Sequence, residues 1–172
     1  MTDEVRNQPW LDGRGPLAFL PGLLFRSDRP LLTLPLAWLL SIGGSLLLGV
    51  AIAFIAPDAE APDLGGAPAI FVLIGVAILS PLAESLIMGG FIDLLMKRLR
   101  AWQAVLVSAA TWGVLHSLMT PTWGLAIWWP FLIFSTIFVT WRPRGFWVAV
   151  LMAAIVHGLQ NLFPAIAIVM GQ

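Results

Sequence analysis

Long runs without a charged side chain dominate the sequence from residue 30 onward. Residues 30 to 57, 64 to 83, 101 to 141 and 145 to 172 contain no Asp, Glu, Lys or Arg. A helix needs about 20 apolar residues to cross a bilayer, so the run from 101 to 141 can hold two crossings. The pattern predicts an all-α fold, a polytopic bundle of membrane helices.

The boundaries of the runs predict about five transmembrane helices and the turns between them. We place the helices near residues 31–56, 68–96, 101–118, 124–141 and 146–169. The chain is expected to fold back at residues 120–124, because Pro121 and Gly124 favour a turn there. The second helix is long and is expected to tilt or to project into the membrane interface.

Residues 15–26 are apolar but too short to cross a membrane, and they include Pro16 and Pro21. We interpret them as a short interfacial segment, and the alternative is a flexible tail with some apolar residues. The expected organisation is therefore a cytoplasmic or interfacial N-terminal segment, residues 1–30, followed by one transmembrane helical domain, residues 31–172.

The charged residues predict an orientation. With the predicted helices, all nine basic residues fall on one side of the membrane; they are Arg6, Arg14, Arg26, Arg29, Lys97, Arg98, Arg100, Arg142 and Arg144. Loops rich in Lys and Arg remain in the cytoplasm. We therefore expect a cytoplasmic N-terminus and an external C-terminus.

Composition supports a membrane protein and excludes several other classes. Hydrophobic residues make up 59% of the chain and charged residues only 10%, against about 25% charged in a typical soluble domain. A formal net charge of zero gives no basis for nucleic-acid binding, so the expected partner is the lipid bilayer. Because cysteine is absent, disulfides, thiolate zinc sites and cysteine nucleophiles are excluded.

A few strongly polar side chains interrupt the predicted helices, namely Glu84, His116, His157, Gln160 and Asn161. Ionisable groups inside a membrane are costly and mark candidate functional sites. Counted from the nearest basic loop, Glu84, His116 and His157 lie roughly 20, 24 and 20 Å into the bundle. His157 and Asn161 share a helical face, since they are four residues apart.

Each polar residue also has a structural interpretation. A single His or Asn in a membrane helix can serve as a hydrogen-bond partner between helices, and Gln160 is best explained in this way. Asp93 stands four residues before Lys97, which predicts a local ion pair. Glu84 is the hardest to explain structurally, because it lies about halfway along its helix.

The familiar signatures of intramembrane proteases narrow the chemistry. The sequence has neither the HExxH zinc pattern nor a Gly-x-Ser-Gly element, and Asp93 has no second intramembrane Asp as partner. What remains is a glutamate that activates water, with His and Asn donors for a tetrahedral oxyanion.

The order of these residues resembles the CPBP family of intramembrane proteases, which includes CAAX-processing endopeptidases and Abi-type bacterial proteins. Its pattern is EExxxR, then FxxxH, then HxxxN or HxxxD. This chain has ESLIMG at 84–89, WGVLH at 112–116 and HGLQN at 157–161. The likeness covers about residues 80 to 163.

The resemblance implies a set of roles. Glu84 would be the base for water, assisted by His116, and His157 and Asn161 would form the oxyanion site. A site without metal is favoured; if a metal is present, zinc would be held by Glu84, His116 and His157. The substrate would be a peptide or protein, including lipid-modified ones, and the location a bacterial inner membrane.

Two positions depart from the family pattern. Ser85 stands where the family has its second glutamate, and Gly89 where it has arginine. This double loss favours the first alternative, a non-catalytic relative with a binding or bacteriocin-immunity role. A second alternative is a small transporter or proton relay that uses Glu84 and the two histidines.

Overall fold

The computed structural model describes residues 8–58 and 68–170. Its helices are α1 (Pro30–Ile55), α2 (Ala69–Leu95), α3 (Ala101–Ser117), α4 (Trp123–Trp141) and α5 (Phe146–Met170). The described residues contain no β-strand, and the predicted all-α membrane bundle is confirmed. Each helix begins and ends within one residue of its predicted bounds. Four of the described helices are long and apolar enough to span a bilayer, whereas α3, with 17 residues, lies at the lower limit.

Helix α4 lies at the centre of the bundle. All residues from 131 to 141 are buried, whereas only 6% of the most apolar stretch of α1 is buried. Polar contacts join α4 to its neighbours: Trp129 Nε1 donates to the carbonyl of Leu40 on α1 at 2.8 Å, and Ser135 Oγ donates to Ser108 Oγ on α3 at 3.0 Å. The positions of the site residues are therefore set by packing around α4.

Helix α2 contains a π turn, Gly75–Leu79, between two α-helical parts. A π turn makes i→i+5 hydrogen bonds, and such turns often occur at functional sites. Helix α5 runs antiparallel to α2 and packs closely on this turn, because a Cβ atom at Gly158 would lie 2.7 Å from the carbonyl oxygen of Ala77. The close contact sets the register between the two helices.

The N-terminal segment, residues 8–29, packs against one end of the bundle. It forms three 3₁₀ turns, Gln8–Trp10, Gly15–Phe19 and Gly22–Phe25. The side chains of Leu17, Leu24 and Phe25 are fully buried. Thr140 Oγ1 donates to the carbonyl of Leu24 at 2.9 Å. These contacts describe a packed segment rather than a flexible tail.

Eight described basic residues lie at the same end of the bundle as this segment, which we call the basic end: Arg14, Arg26, Arg29, Lys97, Arg98, Arg100, Arg142 and Arg144. Arg6 lies outside the described residues. The opposite end, called the turn end, carries the α3–α4 turn at residues 118–122.

One ion pair at the basic end differs from the prediction. Asp93 binds Arg142 rather than Lys97, with Arg142 Nε donating at 2.8 Å and Arg142 Nη2 at 2.9 Å. The predicted pair was wrong because it considered only neighbours on one helix. Arg142 reaches Asp93 from the α4–α5 junction and offers a two-pronged guanidinium contact.

Candidate functional site

Glu84 lies on α2, half-buried, and its two carboxylate oxygens have different surroundings. Ser80 Oγ, one helical turn earlier, donates a hydrogen bond to Glu84 Oε1. Glu84 Oε2 is buried and has no hydrogen-bond partner among the described residues. An unpaired buried carboxylate oxygen is costly, so this atom is suited to bind a proton, a water molecule or a substrate group.

His116 lies in the last turn of α3 with its ring orientation set by its own helix. Its Nδ1 lies 2.8 Å from the carbonyl oxygen of Trp112. A carbonyl only accepts, so Nδ1 carries the hydrogen and Nε2 has the lone pair in the neutral ring. His116 is close enough to Glu84 for a direct electrostatic interaction. The two residues form the Glu84–His116 pair, with one free ring nitrogen and one free carboxylate oxygen.

His157 lies in an aromatic environment on the inner face of α5. Its ring stacks on Phe134 with centroids 4.5 Å apart and meets the edge of Phe131 at 5.2 Å. Only 3% of the residue is exposed, and its Nδ1 has no hydrogen-bond partner among the described residues. Phe131 also contacts His116, at 5.5 Å between centroids, so this ring joins the two histidines.

Asn161 and Gln160 reach two different helices. Asn161 Nδ2 donates to the carbonyl of Val76 at 3.1 Å, within the π turn of α2. Gln160 Nε2 donates to Ser45 Oγ on α1 at 3.3 Å. Gln160 thus joins two helices, as its structural interpretation predicted. The contact of Asn161 stabilises the irregular part of α2 and leaves one amide hydrogen for another partner.

The four predicted site residues form a row along the bundle axis. Ala77 on α2 and Gly158 on α5 lie at the same level along the bundle axis. Glu84 lies seven residues beyond Ala77 towards the basic end, and His157 lies one residue from Gly158 in the same direction. Glu84 therefore lies about 9 Å nearer the basic end than His157. Both histidines contact Phe131, Glu84 lies within electrostatic range of His116, and Asn161 lies a further helical turn towards the turn end.

The resemblance allows a zinc site formed by Glu84, His116 and His157. Among residues 8–58 and 68–170, no group of three His, Cys, Asp or Glu side chains has an arrangement that could hold a metal ion. Glu84, His116 and His157 are spread along the row, with Phe131 between the two histidines. As arranged, they do not fit the zinc site that the resemblance allowed.

The two positions that depart from the family pattern have distinct surroundings. Ser85 is fully buried, and its hydroxyl has no hydrogen-bond partner among the described residues. At Gly89 a Cβ atom would lie 2.5 Å from Cε2 of Phe138 on α4. The ring of Phe138 therefore occupies the space into which an arginine at position 89 would extend.

Sequence reasoning did not identify three residues that shape this site: Ser80, Phe131 and Phe138. Ser80 could have been found, because a hydroxyl four residues before a membrane carboxylate is placed to donate to it. Nothing in the sequence distinguished Phe131 and Phe138 as site residues, because they lie in a long apolar run among many other large apolar side chains.

An open groove of about 500 Å³ lies between α2 and α5. Its lining is almost wholly apolar and includes Ala77, Leu82, Ala154 and Leu162. None of the four predicted site residues lines this groove. Its surface suits lipid chains, so the groove is not the place where peptide chemistry would occur.

The Glu84–His116 pair is thus the part of the row where a carboxylate oxygen without a hydrogen-bond partner among the described residues lies within electrostatic range of a histidine. No family model, curated protein or solved structure matches this chain. Its function must therefore be argued from the residues and their arrangement.

Proposed function

We propose that the protein is an intramembrane endopeptidase that activates water with a glutamate. One observation carries the proposal: Glu84 Oε2 is buried without a hydrogen-bond partner among the described residues, in a helix long and apolar enough to cross the membrane. Structural ion pairs and interhelical hydrogen bonds normally satisfy both oxygens of a buried carboxylate. An oxygen that has no partner suits a group that binds water and takes its proton.

The proposed reaction assigns a role to each member of the pair. Glu84 Oε2 takes a proton from water, and the water oxygen attacks the peptide carbonyl to form a tetrahedral oxyanion. The same carboxyl then returns the proton to the leaving amine as the C–N bond breaks. His116, whose ring is held through Nδ1 by Trp112, accepts a hydrogen bond from the attacking water at Nε2 and orients it.

The expectation that His157 and Asn161 hold the oxyanion remains a prediction. Both keep donor capacity, since His157 Nδ1 has no partner among the described residues and Asn161 Nδ2 has a second hydrogen. Both lie towards the turn end from Glu84. A substrate carbonyl that they contact would have to bind above the carboxylate, on the side away from the basic end.

The proposal includes a location and an orientation. The basic end would face the cytoplasm of a bacterial inner membrane, because Lys and Arg accumulate in cytoplasmic loops. Candidate substrates are membrane-associated peptides and proteins, including lipid-modified ones.

The decisive experiment compares Glu84→Gln with wild type and with Ser85→Ala in proteoliposomes. A library of membrane-inserting peptides is the substrate, and mass spectrometry detects the products. Glutamine keeps the shape but cannot take a proton, so the cleavage rate should fall by about 10²- to 10⁴-fold. Ser85→Ala changes a neighbouring buried hydroxyl and should cleave at the wild-type rate. Wild-type rates with Glu84→Gln would remove Glu84 as the base.

The packing of Phe138 against Gly89 favours a second candidate, a non-catalytic membrane protein that binds a partner. With that space filled, the family's charge pair cannot be restored by substitution at positions 85 and 89 alone. If wild type cleaves nothing in the library, and Glu84→Gln still performs the cellular role of the protein, the binding function replaces the peptidase.

A further inference from the structure

The N-terminal segment closes the basic end of the bundle at the ends of α1, α3 and α4. Leu17, Leu24 and Phe25 of the N-terminal segment are fully buried against the helix ends. Trp10 Nε1 donates to Thr140 Oγ1 at 3.2 Å, and Thr140 in turn donates to Leu24. A peptide approaching between these three helices would have to displace the segment.

The space between this segment and Glu84 is also filled. One turn below Glu84 on α2, Met88 is fully buried, with its Sδ 3.4 Å from Ser135 Oγ on α4. The ring of Phe138 packs against Gly89, and Ile92, one turn further on, is also fully buried. Close packing thus continues from the basic end up to the level of the carboxylate.

Towards the turn end the surroundings are more open. His116 is the second-last residue of α3 and is half-buried. It lies about 22 Å along α3 from Ala101, near the end of a short membrane helix. The adjacent turn exposes 78% of Leu118 and 71% of Met119. The edge of Trp123, the first residue of α4, meets the ring of His116 at 4.7 Å between centroids, so a polypeptide entering from this end would pass this indole and His116.

We infer that polypeptide reaches the Glu84–His116 pair from the turn end, past His116, and not from the basic end. With the basic end in the cytoplasm, this route opens outside the cell. The substrate class is then a polypeptide with its scissile bond at the extracytoplasmic membrane surface. This last step rests on the proposed function, whereas the route itself does not.

The route can be tested without any cleavage assay. Because the chain contains no cysteine, each single-cysteine variant offers one thiol. Glu84→Cys and His116→Cys probe the route, and Ser85→Cys is the buried neighbour of the first. Lys97→Cys marks the basic end and Met119→Cys marks the turn end. A membrane-impermeant methanethiosulfonate is added to sealed right-side-out and inside-out vesicles from expressing cells.

We expect Glu84→Cys and His116→Cys to react with the reagent from the side on which Met119→Cys reacts. Their reaction from that side should be at least tenfold faster than from the side on which Lys97→Cys reacts. Ser85→Cys should stay unreactive from both sides. Faster reaction from the Lys97 side would overturn the route. Reaction with a lipid-soluble maleimide alone would also overturn it and indicate entry from the bilayer. If Glu84→Cys does not fold, His116→Cys gives the same decision.

A second measurement separates the route from the chemistry. A library peptide that wild type cleaves is added to sealed vesicles of both orientations. Cleavage only where the Met119 side faces the peptide supports the substrate class, and cleavage only from the Lys97 side overturns it. If labelling follows the expected pattern and no peptide is cleaved, the route stands and the proposed peptidase fails.

Discussion

At the scale of single residues, the predicted site residues differ in how far the fold already uses their polar atoms. Ser80 satisfies one oxygen of Glu84 and leaves the other without a partner. Asn161 donates to the π turn, and His157 lies between aromatic rings. Glu84 therefore has the strongest claim to a chemical role, while the other two also have structural roles.

His157→Phe tests whether His157 is a packing residue. Phenylalanine can stack on Phe134 in the same way and removes a buried nitrogen that has no partner, a group whose burial costs about 1–3 kcal/mol. The thermal unfolding midpoint in detergent should therefore stay the same or rise. Phe134→Ala is the control for a lost core ring and should destabilise by about 3–5 kcal/mol.

Two outcomes of that comparison would change the assignment of His157. A midpoint lowered as far as in Phe134→Ala would show that His157 Nδ1 makes a bond that the fold requires. An unchanged midpoint with cleavage lost would place His157 in the chemistry, as the resemblance implies.

At the scale of helices, the contact between α5 and the π turn of α2 determines where Glu84 lies relative to the histidines. Gly158 allows the two backbones to approach, and Asn161 binds the carbonyl of Val76 in the same turn. Small residues permit such close packing in membrane bundles. A shift of this contact would move Glu84 along the axis relative to His157.

Gly158→Ala and Gly90→Ala form a matched pair that tests this contact. An added Cβ at Gly158 would lie 2.7 Å from the carbonyl oxygen of Ala77, whereas at Gly90 nothing lies within 4 Å. Gly158→Ala should be destabilised by about 1–3 kcal/mol, because the two backbones must separate. Gly90→Ala should be neutral or slightly stabilised, as alanine favours a helix. Denaturation in mixed micelles measures both, and equal stability of the two variants would contradict the contact.

The helix boundaries could be predicted from the sequence, but the register between helices could not. Charge-free runs begin after Arg29, Arg100 and Arg144 and end before Asp58 and Arg142, so composition alone marked most of the ends. The estimated depths assumed that every helix starts at the same level. The contact of Gly158 with Ala77 shows an offset of about 9 Å between Glu84 and His157 instead. Offsets of this kind depend on the shapes of both surfaces, which a single sequence does not reveal.

For the candidate site, the sequence likewise indicated which residues matter but not how the helices bring them together. Glu84 and His116 stood out because polar side chains are rare in membrane helices. The filling of Gly89 by Phe138 and the pairing of Asp93 with Arg142 depend on which helices adjoin. Neither follows from spacing along the chain.

At the scale of the whole molecule, the N-terminal segment is part of the bundle's core. Leu17, Leu24 and Phe25 are buried as completely as the residues of α4, and α1 begins directly after the segment. The segment stabilises the basic end and blocks access there. The fold therefore includes residues that a count of membrane spans would leave out.

Phe25→Ala and Phe19→Ala test the contribution of this segment. Phe25 is fully buried, whereas 65% of Phe19 is exposed. Removing the buried ring should cost about 3–5 kcal/mol of stability. The exposed ring should change stability by no more than about 0.5 kcal/mol. Equal unfolding midpoints for the two variants in detergent would mean that the segment does not support the bundle.

The hydrogen bond between Trp10 and Thr140 also constrains how the protein is made. Its two partners are 130 residues apart, so the donor is synthesised long before the acceptor. At a ribosomal rate of about 5–20 residues per second, the interval is roughly 7 to 26 seconds. During that time Trp10 and the apolar residues near it have no complete bundle to pack against and must wait at the membrane surface or on a chaperone. Docking of this segment is then a late step of the protein's biogenesis.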